Sequence, residues 1–395
     1  MNQQTTPKNG NALRDMITTP EAPGLVGLAL LFFLSLAIIP LAGDTTIALI
    51  YAAAAVTVLY LLSRSFSYVF SLLLPSAVLF LLFSSPVLPI LFTALLLGAS
   101  CGTVLLLAAR QKKQILLWCA APVLAYAAAY LLCQDPLVAA LTLLPLPLAV
   151  AGCYLIRHCT KQTTAIVTLA AVLAITLVAA GLVAMLMADM LHGNPLTILA
   201  DALRSALSKA FVEAVAELRD AYANMNMELP LTEDLLLPLV PLIVNLLPGM
   251  FLAATVLITF FIWRADLNFM LNLQMLPRIP LRMSALQFSP VTAAVYLPAF
   301  LVGMLGNLSH VTFAGTVALN FAIVLAPGLA LVGYAALSPR RGSRRSCLSS
   351  VLFFGLILAT VSNPFIGLAL AALLGAVNVL LVTFMPQPKE PRDHP

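Results

Sequence analysis

Twelve apolar runs, most of them near twenty residues long, leave this chain few folds to choose from. They fall at 24–42, 45–63, 67–84, 87–108, 114–133, 137–156, 164–191, 235–262, 289–306, 311–336, 347–362 and 365–384. A helix rises 1.5 Å per residue, so a run of about 20 residues matches the ~30 Å hydrocarbon core of a bilayer. Charged residues make up 9% of the chain. Soluble proteins carry roughly 25%, so a water-soluble core is excluded. A membrane β-barrel needs apolar and polar residues in alternation, and nothing here alternates. The sequence predicts an all-α, polytopic transmembrane helix bundle of about 12 spans, or 10 if 347–384 is a re-entrant hairpin and another pair is misread.

One interval interrupts the pattern. Gly193 to Asp234 is polar and divides the chain into a seven-span half (24–192), an insert (193–234) and a five-span half (235–384), with polar tails at 1–23 and 385–395. Within the insert Leu199, Leu203, Leu207, Phe211, Val215, Leu218 and Tyr222 recur at steps of three or four. That spacing predicts one amphipathic helix, with Asp201, Lys209, Glu213 and Glu217 on its other face. Asn194-Pro195 marks its start, and Pro230 stops any continuation. Seven acids against three bases give the insert a net charge of −4 in a chain of +5. Anionic lipid attracts basic helices rather than acidic ones, so this helix is expected to pack its apolar face on the bundle or lie in the interface.

Basic residues orient such a chain, because cytoplasmic loops carry an excess of Lys and Arg. With the N-terminus inside, 17 of the 20 basic residues fall in cytoplasmic segments, and the other three lie in the insert. The expectation is a cell-membrane protein with both termini and the Arg340–Arg345 loop in the cytoplasm and the insert outside. The first 23 residues lack the apolar core of a cleaved signal peptide, so the first span is expected to direct insertion. The polar tails are expected to be disordered. Gly98 and Gly102 in the fourth span, and Gly367, Ala371 and Gly375 in the last, predict close helix approaches.

Chemistry leaves few traces. The six cysteines lie in or beside apolar runs without a C-x-x-C pair, and read as small buried hydrophobes. His158, His192, His310 and His394 fall in loops, at span edges or in the tail. There is no HExxH, G-x-S-x-G or Walker-type loop. Asp189 sits within a turn of the outward end of its span, and no ionisable residue is placed well inside one. Intramembrane catalysis and proton pumping both use such residues, so an enzyme and a proton-driven pump are disfavoured. No metal, cofactor or nucleic-acid partner is implied.

Neutral polar residues stand deeper. Asn245 and Asn320 lie roughly 14–15 Å from the outward starts of their spans, near the midplane. Pro248-Gly249 and Pro327-Gly328 follow them. Helices interrupted at that depth free backbone groups that face a cavity in many transporters. Asn245, Pro248, Gly249, Asn320, Pro327 and Gly328 are therefore the candidates for lining one. The competing reading of the same residues is interhelical hydrogen bonding with ordinary kinks.

The interval 263–290 mixes Arg264, Arg278 and Arg282 with Pro277, Pro280 and large apolar residues. By this count of spans it is a cytoplasmic link, and Leu267–Leu276 is expected to lie along the inner membrane surface, in contact with the lipid bilayer, or to dock a protein partner. The insert is the other candidate partner surface.

The second half carries a resemblance. It runs from the amphipathic segment through LLPLVPLIVNLLPGMFLAATVLITFFIWR to the link ending LPRIPLRMSALQFSP. ALNFAIVLAPGLALVGYAALSPRRGSRRS and the final NPFIGLALAALLGAVNVLLV complete it. This order over roughly 195–384 resembles the YybS-like family of uncharacterised bacterial membrane proteins. The resemblance implies a bacterial polytopic protein without a catalytic motif, distantly similar to the substrate-binding membrane subunits of energy-coupling-factor vitamin transporters. Two functions are weighed. One is a transport or solute-binding component with a cavity bounded by spans eight and ten and a separate energising partner; the other is a non-transporting scaffold for an envelope process.

Overall fold

The computed structural model describes residues 22–83, 87–109, 111–158, 162–187, 195–224, 237, 239–275, 288–308, 312–337 and 347–384. Every regular element among them is helical. The first half comprises α1 (Ala22–Ile38), α2 (Thr45–Ser63), α3 (Phe66–Phe83), α4 (Val87–Ala108), α5 (Lys112–Cys133), α6 (Pro136–Leu141), α7 (Pro145–His158) and α8 (Gln162–Met187). There follow α9 (Pro195–Asn224), α10 (Leu239–Asn272), α11 (Pro290–Leu308), α12 (Thr312–Leu337), α13 (Cys347–Ser362) and α14 (Pro364–Phe384). Among the described residues nine helices are long and apolar enough to cross a membrane. Three shorter apolar helices, at Phe66–Ala77, Pro290–Gly306 and Ser350–Thr360, coincide with the remaining expected spans. The protein is a multi-pass helical membrane protein.

Local chemistry sets the breaks. Asp44 caps α2, its carboxylate accepting from the N–H groups of Thr46 at 2.8 Å and Ile47 at 3.2 Å. The same helix ends at Arg64 in the left-handed region, φ 49°. The expected span 137–156 is two pieces, because Pro145 cannot carry the α6 ladder onward but is tolerated in the first turn of α7.

Contacts divide the chain into two units, residues 1–184 with 255–281 and residues 185–254 with 282–395. The long α10 contributes its first part to the second unit and its last part to the first.

The first unit is built around α4. Every residue from Leu96 to Leu107 is buried, which is the signature of a helix covered on all sides. Its glycines admit the neighbours. A Cβ on Gly98 would stand 3.3 Å from Pro145 and 3.5 Å from Ser35, and one on Gly102 would stand 2.9 Å from Ala149 and 3.1 Å from the Phe32 ring. Advancing along α4 thus advances along α7 and retreats along α1, so α7 runs parallel to α4 and α1 antiparallel. The last part of α10 is parallel as well: the Ser100 hydroxyl donates to the Ile262 carbonyl at 3.3 Å, and Thr103 and Asp266 meet at Gly152 one turn further on.

In the second unit α12 crosses α14 with backbone against backbone. A Cβ on Gly375 would collide with the Leu329 carbonyl, and one on Gly333 with that of Ala371. Gly367 lies against the Thr360 backbone of α13 in the same way. The small-residue spacings at Gly98/Gly102 and Gly367/Ala371/Gly375 therefore do mark close approaches. Around the crossing Tyr296, Ala322, Leu329, Leu356 and Ala376 form the core.

The insert is helical from Pro195, as its pattern requires. Val215 is buried, Leu203, Leu207 and Phe211 are half-buried, and the face carrying Asp201, Arg204, Lys209, Glu213 and Glu217 is exposed. Arg204–Asp201 at 3.2 Å and Lys209–Glu213 at 3.8 Å pair along that face.

Candidate functional site

The six residues proposed for a cavity separate into two places. At the first, the Asn320 carboxamide reaches from α12 to the backbone of α10. Its oxygen accepts from Gly249 N–H at 2.7 Å, and its nitrogen donates to the Asn245 carbonyl at 2.9 Å and to Thr316 on its own helix at 3.0 Å. Asn245 O and Gly249 N are an i, i+4 pair of the helix ladder, so one side chain caps both ends of a single rung. Pro248 removes the rung beside it: it has no N–H to offer the Val244 carbonyl, and its ring crowds the preceding turn. Gly249 must be glycine here, since a Cβ would stand 3.0 Å from the Asn320 Cα and its carbonyl oxygen. The geometry is that of interhelical hydrogen bonding, the second of the two readings open for these residues. Asn245 contributes its main chain, and its side chain is exposed.

Pro327 and Gly328 lie elsewhere. They are seven and eight residues beyond Asn320, about 10–12 Å along the helix, and Gly328 packs against the Phe288 ring, 2.8 Å from where its Cβ would stand. Two clefts, one of about 490 Å³ between α11 and α12 and one of about 460 Å³ between α2, α3 and α4, include none of the six residues.

The place with chemical potential is one that the span count left outside the membrane helices. α10 does not end near Ile262. Its apolar stripe continues through Ala265, Phe269 and Met270 to Leu273, all buried within the first unit. Leu273 fills the bare face of Gly24, and the Asn272 side chain donates to the Leu62 carbonyl at 3.1 Å. The expectation of a segment lying on the membrane surface is corrected for 267–275; residues 276–287 fall outside the described ones. The cause is helix periodicity, which outlasted the length that a single crossing requires.

Asp266 sits on that stripe. Its side chain is fully buried, and neither carboxylate oxygen makes a hydrogen bond of good geometry, Ser100 being the hydroxyl that stands nearest. The expectation that no ionisable residue lies inside the helix bundle is thereby corrected. Three parallel helices converge on the carboxyl. Gly152 of α7 leaves its Cα face bare: a Cβ there would be 3.2 Å from Asp266 Oδ2 and 2.7 Å from Thr103 Oγ1. Ser100 faces the carboxyl from α4 but donates to Ile262, while Thr103 donates to Ala99 at 3.0 Å. Trp263 Nε1, a turn earlier on α10, is buried and unpaired, as is the hydroxyl of Tyr68, whose ring packs edge-on against Phe269 at 6.4 Å. Among the described residues, all of the buried side-chain nitrogens and oxygens without partners belong to Tyr68, Trp263 and Asp266. Such groups are rare in folded proteins. The sequence did hold a signal: an acid placed on an apolar stripe of period 3.6.

Asp189, His192, His310, His394, Arg340–Arg345, residues 193–194 and 225–234 of the insert, and residues 1–21 and 385–395 of the tails lie outside the described residues. The His158 ring lies 4.6 Å from that of Tyr154, tilted by 41°. No group of three His, Cys, Asp or Glu stands together among the described residues.

Fold and site together define a polytopic helical membrane protein with one buried acid in the apolar core of its first unit. No family model, curated protein or solved structure matches the chain.

Proposed function

We propose that the protein is a transport or solute-binding component of the bacterial cell membrane, with both termini in the cytoplasm and α9 outside. The observation that carries this reading is Asp266. A buried acid with no partner stabilises nothing, and membrane proteins that retain such groups use them along substrate or ion pathways. The distribution of basic residues supports the orientation, and the resemblance over 195–384 supports a bacterial membrane protein without catalysis. A separate energising subunit is the arrangement required of a chain without a nucleotide-binding loop, unless an ion bound within the chain supplies the coupling.

The test is a melting screen of the purified protein in mild detergent against anionic, cationic and neutral solutes, followed by uptake into proteoliposomes. At least one solute is expected to raise the melting temperature by mass action and to be accumulated. The second reading, an envelope scaffold, is favoured by the exposed polar face of α9. It gains if no solute acts and the protein co-purifies only with wall or division proteins.

A further inference from the structure

We propose that Asp266 is a proton-exchange site, its carboxyl taking a proton from water at one end of the first unit and returning it there. This deepens the transport reading and rests on it only for what the proton accomplishes. An isolated carboxylate in an apolar interior is far costlier than the whole net stability of a domain, so its charge is met by a cation. Calcium and magnesium take six or more oxygens, and among the described residues no second carboxylate faces Asp266. The two hydroxyls beside it, Ser100 and Thr103, donate to main-chain carbonyls and offer a metal ion two oxygens at most. A proton is the cation that needs no shell of ligands: it forms one O–H bond and leaves a neutral acid that the bare face of Gly152 accommodates.

Access has a direction. The three parallel helices end at Ala108, His158 and Asn272, five or six residues past the site, or about 7.5–9 Å along each axis. Beyond Ala108 the exposed Lys112 and Lys113 mark water. Helix C-termini carry partial negative charge, which favours a bound cation over a bare carboxylate, though weakly at this distance. Of the described titratable groups, Cys101 on α4 and Cys153 on α7 lie close enough to feel Asp266; Tyr68 on α3 faces Cys101, Arg157 on α7 faces Cys153, and Arg264 is two residues away on the same helix. None of them bonds it. The transfer is acid–base only: the proton leaves hydronium for an oxygen of Asp266 and later returns to water, with no change of oxidation state.

The experiment is infrared difference spectroscopy of the full-length protein in nanodiscs as the pH of the medium is stepped. A protonated-carboxyl C=O band should come and go with pH, move on exchange into D₂O, and be lost in Asp266→Asn. Asp266→Glu should keep the band at a shifted frequency, which covers the case in which Asp266→Asn fails to fold. A spectrum without any Asp266-dependent band at any pH overturns the site, as does a band that responds to sodium or potassium at fixed pH. A titrating band in a protein that transports no solute leaves the proton site standing and removes the transport reading, so the two failures are distinguishable.

Discussion

Asn320 holds two backbone groups of another helix, and this sets the cost of losing it. Asn320→Leu removes both bonds and leaves Gly249 N–H and the Asn245 carbonyl facing an apolar side chain. Interhelical bonds in membranes average ~0.6 kcal/mol, and two are lost while the two ends of the rung keep each other, so a loss of about 1 kcal/mol is expected. Asn245→Leu should stay within about 0.5 kcal/mol, because Asn245 lends only its main chain. Detergent melting curves of the two variants side by side decide the point; equal losses would contradict the geometry. Asp266 inverts this logic. It has no bond to lose and stands on an apolar stripe, so Asp266→Leu should melt at or above the temperature of the unaltered protein while solute uptake is abolished. Replacing buried charge by well-packed apolar groups has stabilised proteins by about 1–4 kcal/mol. A marked fall in melting temperature would make Asp266 a structural residue.

Helices pack here by the removal of side chains, and the glycines provide an internal control. A Cβ on Gly375 meets the Leu329 backbone, whereas one on Gly355 meets nothing within 4 Å. Gly375→Ala should cost about 1–3 kcal/mol by overpacking, against a gain of about 0.5–1 kcal/mol for Gly355→Ala from helix propensity. Comparable melting of the two would mean that the α12–α14 crossing yields easily. Phe269→Asp tests the far end of α10: with Phe269 buried, the variant should lose folded protein on size exclusion, where a surface-lying segment would tolerate it. These elements were unevenly legible. Runs of apolar residues gave away the helices, since length and composition alone decide what crosses a bilayer. Glycine spacing gave away the contacts of Gly98, Gly102 and Gly375. The end of α10 was hidden because a span long enough to cross had already been counted by Ile262, and Arg264 looked like a membrane boundary. Asp266 fell on the wrong side of that boundary, so the acid was read as loop. The Asn245–Asn320 link was half legible: depth and proline named the residues, but whether an amide faces water or a neighbouring helix depends on pairings that periodicity does not encode.

At the scale of the molecule, the proposed orientation has consequences on both sides of the membrane. Asp201 is exposed on α9 and Lys113 is exposed at the start of α5. In a background lacking the native cysteines, Asp201→Cys should react with an impermeant thiol reagent on intact cells, and Lys113→Cys only after the cells are opened. Labelling in the opposite order would reverse the orientation and place the proton reservoir of Asp266 outside.

The link between Asn320 and α10 has a further consequence, in time. Gly249 and Asn320 are 71 residues apart in the chain, which a ribosome making 5–20 residues per second covers in roughly 4–14 s. During that interval α10 has been made, while the amide that will bond its Asn245–Gly249 turn has not been translated. The nascent protein therefore passes through a stage in which one span is inserted but unfinished. Until α12 has been made, Gly249 N–H and the Asn245 carbonyl have only their own helix to bond.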